Sequence, residues 1–343
     1  MSNPADIMKA LAQSQGATDA EILEKPQTVN SKSGSLHIAI PKANQFGETR
    51  IPLTPEAVKV LTARGVQISV ETGAGETANF LDIDYSNAGA KIVYDRKDIY
   101  AAHMLISMNP VSADELELLQ PNQIILSPIH LPQMKSEVIF GMLNKKVISL
   151  AFEYIKDETK HYPIVHALSE IAGRASVLLA GQYLNNRNGG SGLLMGGVTG
   201  VRPTKMIILG AGTVGESAAR VAKSLGAEIR IFDNNVYKLR RLQNNLGERM
   251  YTSIINPNML ARELKSTDVV IGAIHSKIAR TPILVTEEMV QTMPEGSLII
   301  DVSIDQGGVF ETSEVTPLEK PTFNNHGVTH YCVPNISAMY PVT

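Results

Sequence analysis

The 343-residue chain has one cysteine, no tryptophan and only 5% aromatic residues. A single thiol, Cys332, excludes an intrachain disulfide and any metal site built on several thiolates, and it points to a reducing compartment. No reactive-thiol signature surrounds it, so Cys332 reads as inert. With 43% hydrophobic residues and so few rings, the cores must rest on Ile, Leu, Val, Ala and Met, and the 13 methionines read as packing. Neither sign of charge dominates. The 31 basic and 34 acidic residues leave a net of −3, which provides no positive field for a phosphodiester backbone or an anionic lipid surface. Nucleic acid is therefore not an expected partner. The first residues, MSNPADIMKALAQSQ, lack the basic start and unbroken apolar run of a secretory signal, and no later stretch gives about 18 apolar residues in a row. The expectation is a cytoplasmic protein without a membrane span.

A chain of this length exceeds one ordinary compact domain, because single cores stop growing at roughly 250 to 300 residues. Residues 1–34 are polar and mixed and read as an extension outside the core. From SLHIAIPK onward, short β-branched runs (QISVETG, KIVYD, HMLISM, IILSPI, VISLAFEYI) alternate with helix-period segments such as TPEAVKVLTARG and a helix near 133–146. VHALSEIAGRASVLLAGQYLNN then holds apolar and small residues in step with a 3.6 period over about six turns. A glycine-rich turn follows it, and a second alternating series runs from MIIL to SLIIDVS. The expected class is α/β, with two doubly wound (Rossmann-like) parallel-sheet domains flanking a cleft, at 35–163 and 164–341.

Residues 208–218, ILGAGTVGESA, carry the clearest chemistry. Gly210, Gly212 and Gly215 follow an apolar strand and open an alanine-rich helix, and the next strand, EIRIFD, ends in Asp233, 23 residues after Gly210. In a dinucleotide-binding fingerprint the first glycine permits the tight turn. The second clears space for a diphosphate, the third lets helix and strand pack, and the acidic residue takes the ribose hydroxyls. The diphosphate then meets free amides at the positive end of a helix. Asp233 favours NAD over NADP, since a carboxylate repels a 2′-phosphate. Arg240 and Arg241 lie one to two turns further on and either soften that preference or, as the default reading has it, are exposed helix charges.

A dinucleotide leaves the substrate open. DVSIDQGG (301–308) sits where a sixth strand leaves its sheet, on the edge where such folds bind ligands. Within it Asp301 reads as a turn or cap residue, and Asp305 as the better candidate for the nicotinamide side. His130, at the end of IILSPI, is either structural or the acid–base group of the first domain. Arg50, in GETRIPLTP, is either a solvated loop arginine or a planar fork for a substrate carboxylate.

With these residues in hand, the chain resembles the alanine dehydrogenase family, whose fold is shared with the NAD-binding alpha subunit of transhydrogenase. The resemblance spans about 35 to 343. It rests on ETRIPLTP, ETGAG (71–75), LSEIAGR (168–174), GGVTGV (196–201), GAGTVG, VIGAI (270–274), DVSIDQGGVFETS (301–313) and HYCVPN (330–335), in that order. It implies reversible NAD-dependent oxidative deamination of L-alanine to pyruvate and ammonium. On this pattern Arg50 clamps the substrate carboxylate, His130 serves as acid–base and Asp305 helps activate the water that attacks the imine. Gly210, Gly212, Thr213, Val214, Gly215, Asp233, Lys238, Ser169, Ile274 and Asn335 contact the cofactor. The resemblance also implies a homo-oligomer, a hexamer, and no metal.

The sequence departs from the family pattern at three places. The substrate lysine of a K-x-P pattern is Met108, in LISMNPV, and an aromatic two residues before the histidine is Pro128. The sequence ends at AMYPVT, where the family continues into a segment that closes on the first domain. The alternatives these leave are a related NAD enzyme on another amino or 2-oxo acid, and a non-catalytic NAD(H)-binding homologue.

Overall fold

The computed structural model describes residues 35–44, 47–130, 134–276 and 280–343; the N-terminal extension lies outside them. The chain divides into two compact units. The first comprises 35–44 and Arg50–Ala151, the second 47–49 and Phe152–Thr343.

In the first unit, β1 (His37–Ile40), β2 (Gln67–Glu71), β3 (Lys91–Val93), β4 (Met104–Ile106), β5 (Ile124–Ser127) and β6 (Ile148–Ala151) form one sheet in the order β3-β2-β1-β4-β5-β6. Every pair is parallel. The helices α1 (Pro55–Ala63), α2 (Asp82–Asn87), α3 (Arg96–Ile99), α4 (Ala113–Leu116) and α5 (Ser136–Asn144) connect them. Because successive side chains of a strand point to opposite faces, Ile38 and Ile40 enter a core with Val58, Val70 and Tyr85, while Ala39 enters another with Leu105, Ile125 and Val138. The L-T-P of ETRIPLTP is the start of α1: Thr54 accepts the Ala57 N–H, and Pro55 fills the first helical position, where no N–H is needed.

The second unit opens with α6 (Pro163–Tyr183). It continues through β7 (Lys205–Leu209), α7 (Thr213–Ser224), β8 (Glu228–Phe232), α8 (Val236–Leu246), β9 (Tyr251–Ser253), α9 (Pro257–Leu264), β10 (Val269–Gly272), α10 (Glu287–Val290), β11 (Leu298–Asp301), β12 (Thr322–Asn325) and β13 (Val328–Tyr331). The sheet order is β12-β13-β11-β10-β7-β8-β9, parallel except that β12 runs antiparallel to β13. Both domains are thus doubly wound α/β sheets, as expected.

Three details differ from the sequence reading. DVSIDQGG leaves the fifth strand of its sheet, not a sixth. The β12–β13 hairpin was not anticipated: its two-residue turn, His326-Gly327, has both φ angles positive, 55° and 77°, and a histidine in place of the usual Asn or Asp hides the signal. Third, α6 is long and apolar enough by length and composition to cross a membrane. Its apolar side is nonetheless used within the unit, where Ala175, Val177, Leu179 and Ala180 join the core beneath α7 and β7. Gly173, from LSEIAGR, explains how close the two helices come: a Cβ there would lie 2.3 Å from the Val214 carbonyl oxygen.

Candidate active site

The strands of the second unit step from β7 to β8 and β9 on one side, and β10 lies on the other side of β7. This reversal is where an open α/β sheet binds ligands, at the carboxyl ends of its strands, and the glycine loop occupies it. Gly210 has φ +117°, its N–H donates to the Phe232 carbonyl at 2.7 Å, and a Cβ would stand 2.3 Å from the Ala273 oxygen. A Cβ on Gly215 would stand 1.9 Å from the Gly210 oxygen. Gly212 is different, since a Cβ there meets no heavy atom within 4 Å. The first and third glycines are therefore required by backbone packing, and the second faces open space at the mouth of α7, whose first turn has no side-chain cap. Such a mouth, with Thr213 and Val214 half-buried beside it, fits the diphosphate of a dinucleotide.

Asp233, 6% exposed, closes β8. Its Oδ2 accepts the Ala211 N–H at 2.8 Å and its Oδ1 the Asn235 N–H at 2.7 Å, which locks the carboxylate to the glycine loop. Asn235 caps α8 by accepting the amides of Tyr237 and Lys238, leaving the Lys238 side chain exposed in the first turn. Arg240 lies over the Tyr237 ring, as an exposed helix charge does. Arg241 instead reaches back: its Nη2 donates to the Ala211 oxygen at 3.3 Å and its Nε lies 3.7 Å from Glu216. A cation thus stands at the rim of the loop, which the sequence pattern did not reveal.

The loops after β10 and β11 are tied together. Ile274 N–H donates to Ser303 Oγ at 3.0 Å, and the Gln306 carboxamide pairs with both the N–H and the C=O of Ser276. Asp301 is fully buried beneath the turn, accepting from Ser303 N–H, Val309 N–H and Ser313 Oγ. Burial pushes its carboxyl up to about 6, against those hydrogen bonds. Asp305, four residues on, is exposed, and its Oδ1 accepts the N–H of Asn335 at 3.1 Å. Ser169 lies half-buried on α6. Behind these groups Cys332 is buried, with its thiol pushed by burial up to about 12, which keeps it protonated and inert.

In the first unit the order reverses between β1 and β4. Asn109 Nδ2 donates to Asn44 Oδ1 at 3.4 Å, joining the segments that follow these two strands. Arg50 lies between β1 and α1, Met108 two residues past β4 and His130 three past β5, so all three leave the carboxyl edge of this sheet. His130 has a positive φ of 45°, uncommon for a residue with a Cβ. Beneath this edge Glu71 accepts the Lys42 N–H at 2.7 Å and pairs with Arg96, which also binds Glu115.

Residues 39–172 match the family model for the alanine dehydrogenase/PNT N-terminal domain, and residues 176–343 match that for the C-terminal domain. Alanine dehydrogenase 2 of Staphylococcus aureus is 37% identical over 309 residues, covering 90% of this chain and 83% of that protein. The chain belongs to the alanine dehydrogenase/PNT family. A solved L-alanine dehydrogenase superposes with a TM-score of 0.85 at 36% identity, over 90% of this chain and 85% of that one. A transhydrogenase from Sinorhizobium meliloti shares the fold, with a TM-score of 0.77 at 23% identity, covering 89% of each chain. The chain carries Met108 at the place where the family resemblance stated above expects a lysine.

Sequence reasoning missed one polar group near these positions and named another, Arg241, without its contact. Arg241 has a local signal, a basic residue one turn after Lys238, but its contact with Ala211 depends on how α8 packs. Glu48, which binds Asn335, has no sequence signal beyond its place two residues before Arg50.

Proposed function

We propose that the protein is an NAD-dependent alanine dehydrogenase, interconverting L-alanine with pyruvate and ammonium. The observation that carries this reading is the glycine loop at the strand reversal, open only at Gly212 and latched to Asp233, in a chain 37% identical to an alanine dehydrogenase over 90% of its length. Gly210, Gly212, Thr213, Val214, Gly215, Asp233, Lys238, Ser169, Ile274 and Asn335 would hold the dinucleotide. When bound, its nicotinamide supplies a hydride acceptor and donor for the substrate Cα. The Asp233 carboxylate suits the two ribose hydroxyls of NAD and repels a 2′-phosphate.

The remaining chemistry belongs to side chains. The Arg50 guanidinium presents parallel N–H donors to the substrate carboxylate and fixes which face of Cα is offered. Asp305 accepts a proton from the water that adds to the imine carbon. His130 carries a proton to the departing nitrogen and takes one from the new hydroxyl as the carbonyl forms, a task an imidazole performs because its ring nitrogens can both give and accept a proton. A homo-oligomer, a hexamer by family resemblance, is part of the same proposal, and light scattering of the purified protein tests it.

Loss of NADH absorbance that requires both pyruvate and ammonium is the expected result. Saturable NADH binding without turnover on any 2-oxo acid would leave a binding protein instead. Met108 favours a second reading, a related dehydrogenase for another 2-oxo acid, because an ammonium that would contact the substrate is replaced by an apolar thioether. A panel of 2-oxo acids separates the two.

A further inference from the structure

Two opposite charges flank one residue of the glycine loop. The Ala211 N–H donates to Asp233 Oδ2 at 2.8 Å, and the Ala211 carbonyl accepts from Arg241 Nη2 at 3.3 Å. A single residue therefore separates a buried carboxylate from a guanidinium whose side chain is 52% exposed and open to a ligand. Arg241 is braced from its other side, where its Nε lies 3.7 Å from Glu216 Oε2. The same Glu216 pairs with Arg220 Nη2 at 3.4 Å. Two guanidiniums share that one carboxylate, so the cluster keeps a surplus positive charge beside the loop. Arg240, one residue earlier, is turned instead to the Tyr237 ring, 6.0 Å from its centre.

A dinucleotide whose adenosine ribose rests on Asp233 brings its 2′ position to this pair of charges. A 2′-hydroxyl suits the carboxylate. A 2′-phosphate is repelled by Asp233 but attracted by the guanidinium, whose planar fork matches phosphate oxygens. We propose that Arg241 is a specificity-determining residue that admits a 2′-phosphorylated dinucleotide, NADPH, as a second cofactor. The preference for NADH is then a difference between repulsion at Asp233 and attraction at Arg241, not an exclusion. This rests on the cofactor placement given above, and all of its residues belong to the second unit.

The test titrates full-length wild type, Arg241→Gln and Arg240→Gln with NADH and with NADPH by fluorescence, at low and at high salt. Glutamine at position 241 carries no charge but keeps an N–H donor for the Ala211 carbonyl, and Arg240→Gln removes an equal charge from the same helix. Arg241→Gln is expected to weaken NADPH binding about tenfold and NADH binding less than about twofold. The steeper salt dependence of NADPH binding should shrink toward that of NADH in the same variant, and Arg240→Gln should behave as wild type with both. In an Asp233→Ala background, Arg241→Gln should again weaken NADPH about tenfold; if Asp233→Ala does not fold, the wild-type background decides. No saturable NADPH binding to the wild type, unchanged NADPH affinity in Arg241→Gln, or an equal loss for both cofactors, as a merely structural role would give, would each overturn the proposal. An effect of Arg240→Gln as large as that of Arg241→Gln would do the same. Failure of the wild type to bind NADH overturns the cofactor reading itself, whereas saturable NADH binding with any of those outcomes removes the role of Arg241 alone.

Discussion

Gly212 and Gly215 stand three residues apart, and alanine at each should do opposite things. At Gly212 the backbone, with φ −78° and ψ −167°, is open to any residue, and the added methyl meets nothing within 4 Å. Reduced freedom of the unfolded chain favours the variant by about 0.4 to 1 kcal/mol, and alanine is a poorer helix cap than glycine by a similar amount. The two effects nearly cancel, so stability should change by less than about 1 kcal/mol. The methyl nevertheless fills the space a diphosphate needs against the amides of α7. Losing one charge-assisted hydrogen bond, about 1.5 to 3 kcal/mol, corresponds to roughly 10- to 100-fold in the NADH dissociation constant. At Gly215 the methyl would sit 1.9 Å from the Gly210 oxygen and 3.3 Å from Ile208 Cγ2. Backbone cannot rotate aside as a side chain can, so α7 must lift from β7, at about 1 to 3 kcal/mol or more. Denaturant unfolding and NADH fluorescence titration of both variants read the two quantities separately. Wild-type NADH affinity in Gly212→Ala, or a loss of stability there equal to that of Gly215→Ala, would refute the placement of the diphosphate.

Asp233→Ala should weaken NADH binding at least about tenfold and narrow the preference over NADPH, since the repelling charge is gone and Arg241 stands at the rim; an unchanged affinity ratio would contradict the ribose assignment. Met108→Lys should raise kcat/KM for pyruvate, and unchanged kinetics would show that another group already supplies the charge. Two buried groups should oppose each other in acid. His330, fully buried between Thr312 and the Val328 carbonyl, is lowered by burial from 6.5 to about 4. The folded state resists protonating it, so its contribution falls as pH drops through 6.5, by about 3 kcal/mol once below 4. Asp301 is raised from 3.8 to about 6, so its folded form gains a proton first and its contribution rises by about 3 kcal/mol as pH drops through the same window. Wild-type stability should therefore be nearly flat between pH 6 and 4. In His330→Gln it should rise toward acid, and a flat profile in that variant would show that His330 titrates normally.

Much of the architecture was legible because it is local. The alternation of β-branched runs with 3.6-period segments is set by side-chain geometry within a few residues, and it announced two doubly wound sheets. The spacing of Gly210, Gly212 and Gly215 is dictated by a strand turning at once into a helix, and the close contacts at the first and third glycines follow from that turn. The short helix α3 was less legible, since a single turn leaves little periodicity. The β12–β13 hairpin was invisible because His-Gly is an unusual pair for its turn.

The sequence by itself determined the two alternating series of strands and helices and the strand-to-helix glycine turn, since each depends on neighbours a few positions away. Only the tertiary structure decided which glycine faces open space, that Arg241 returns to the rim of the loop, and that Asn335 serves Glu48 from 287 residues away. Those contacts join segments whose separation along the chain leaves no periodic or spacing signal. They exist only once the second unit has folded.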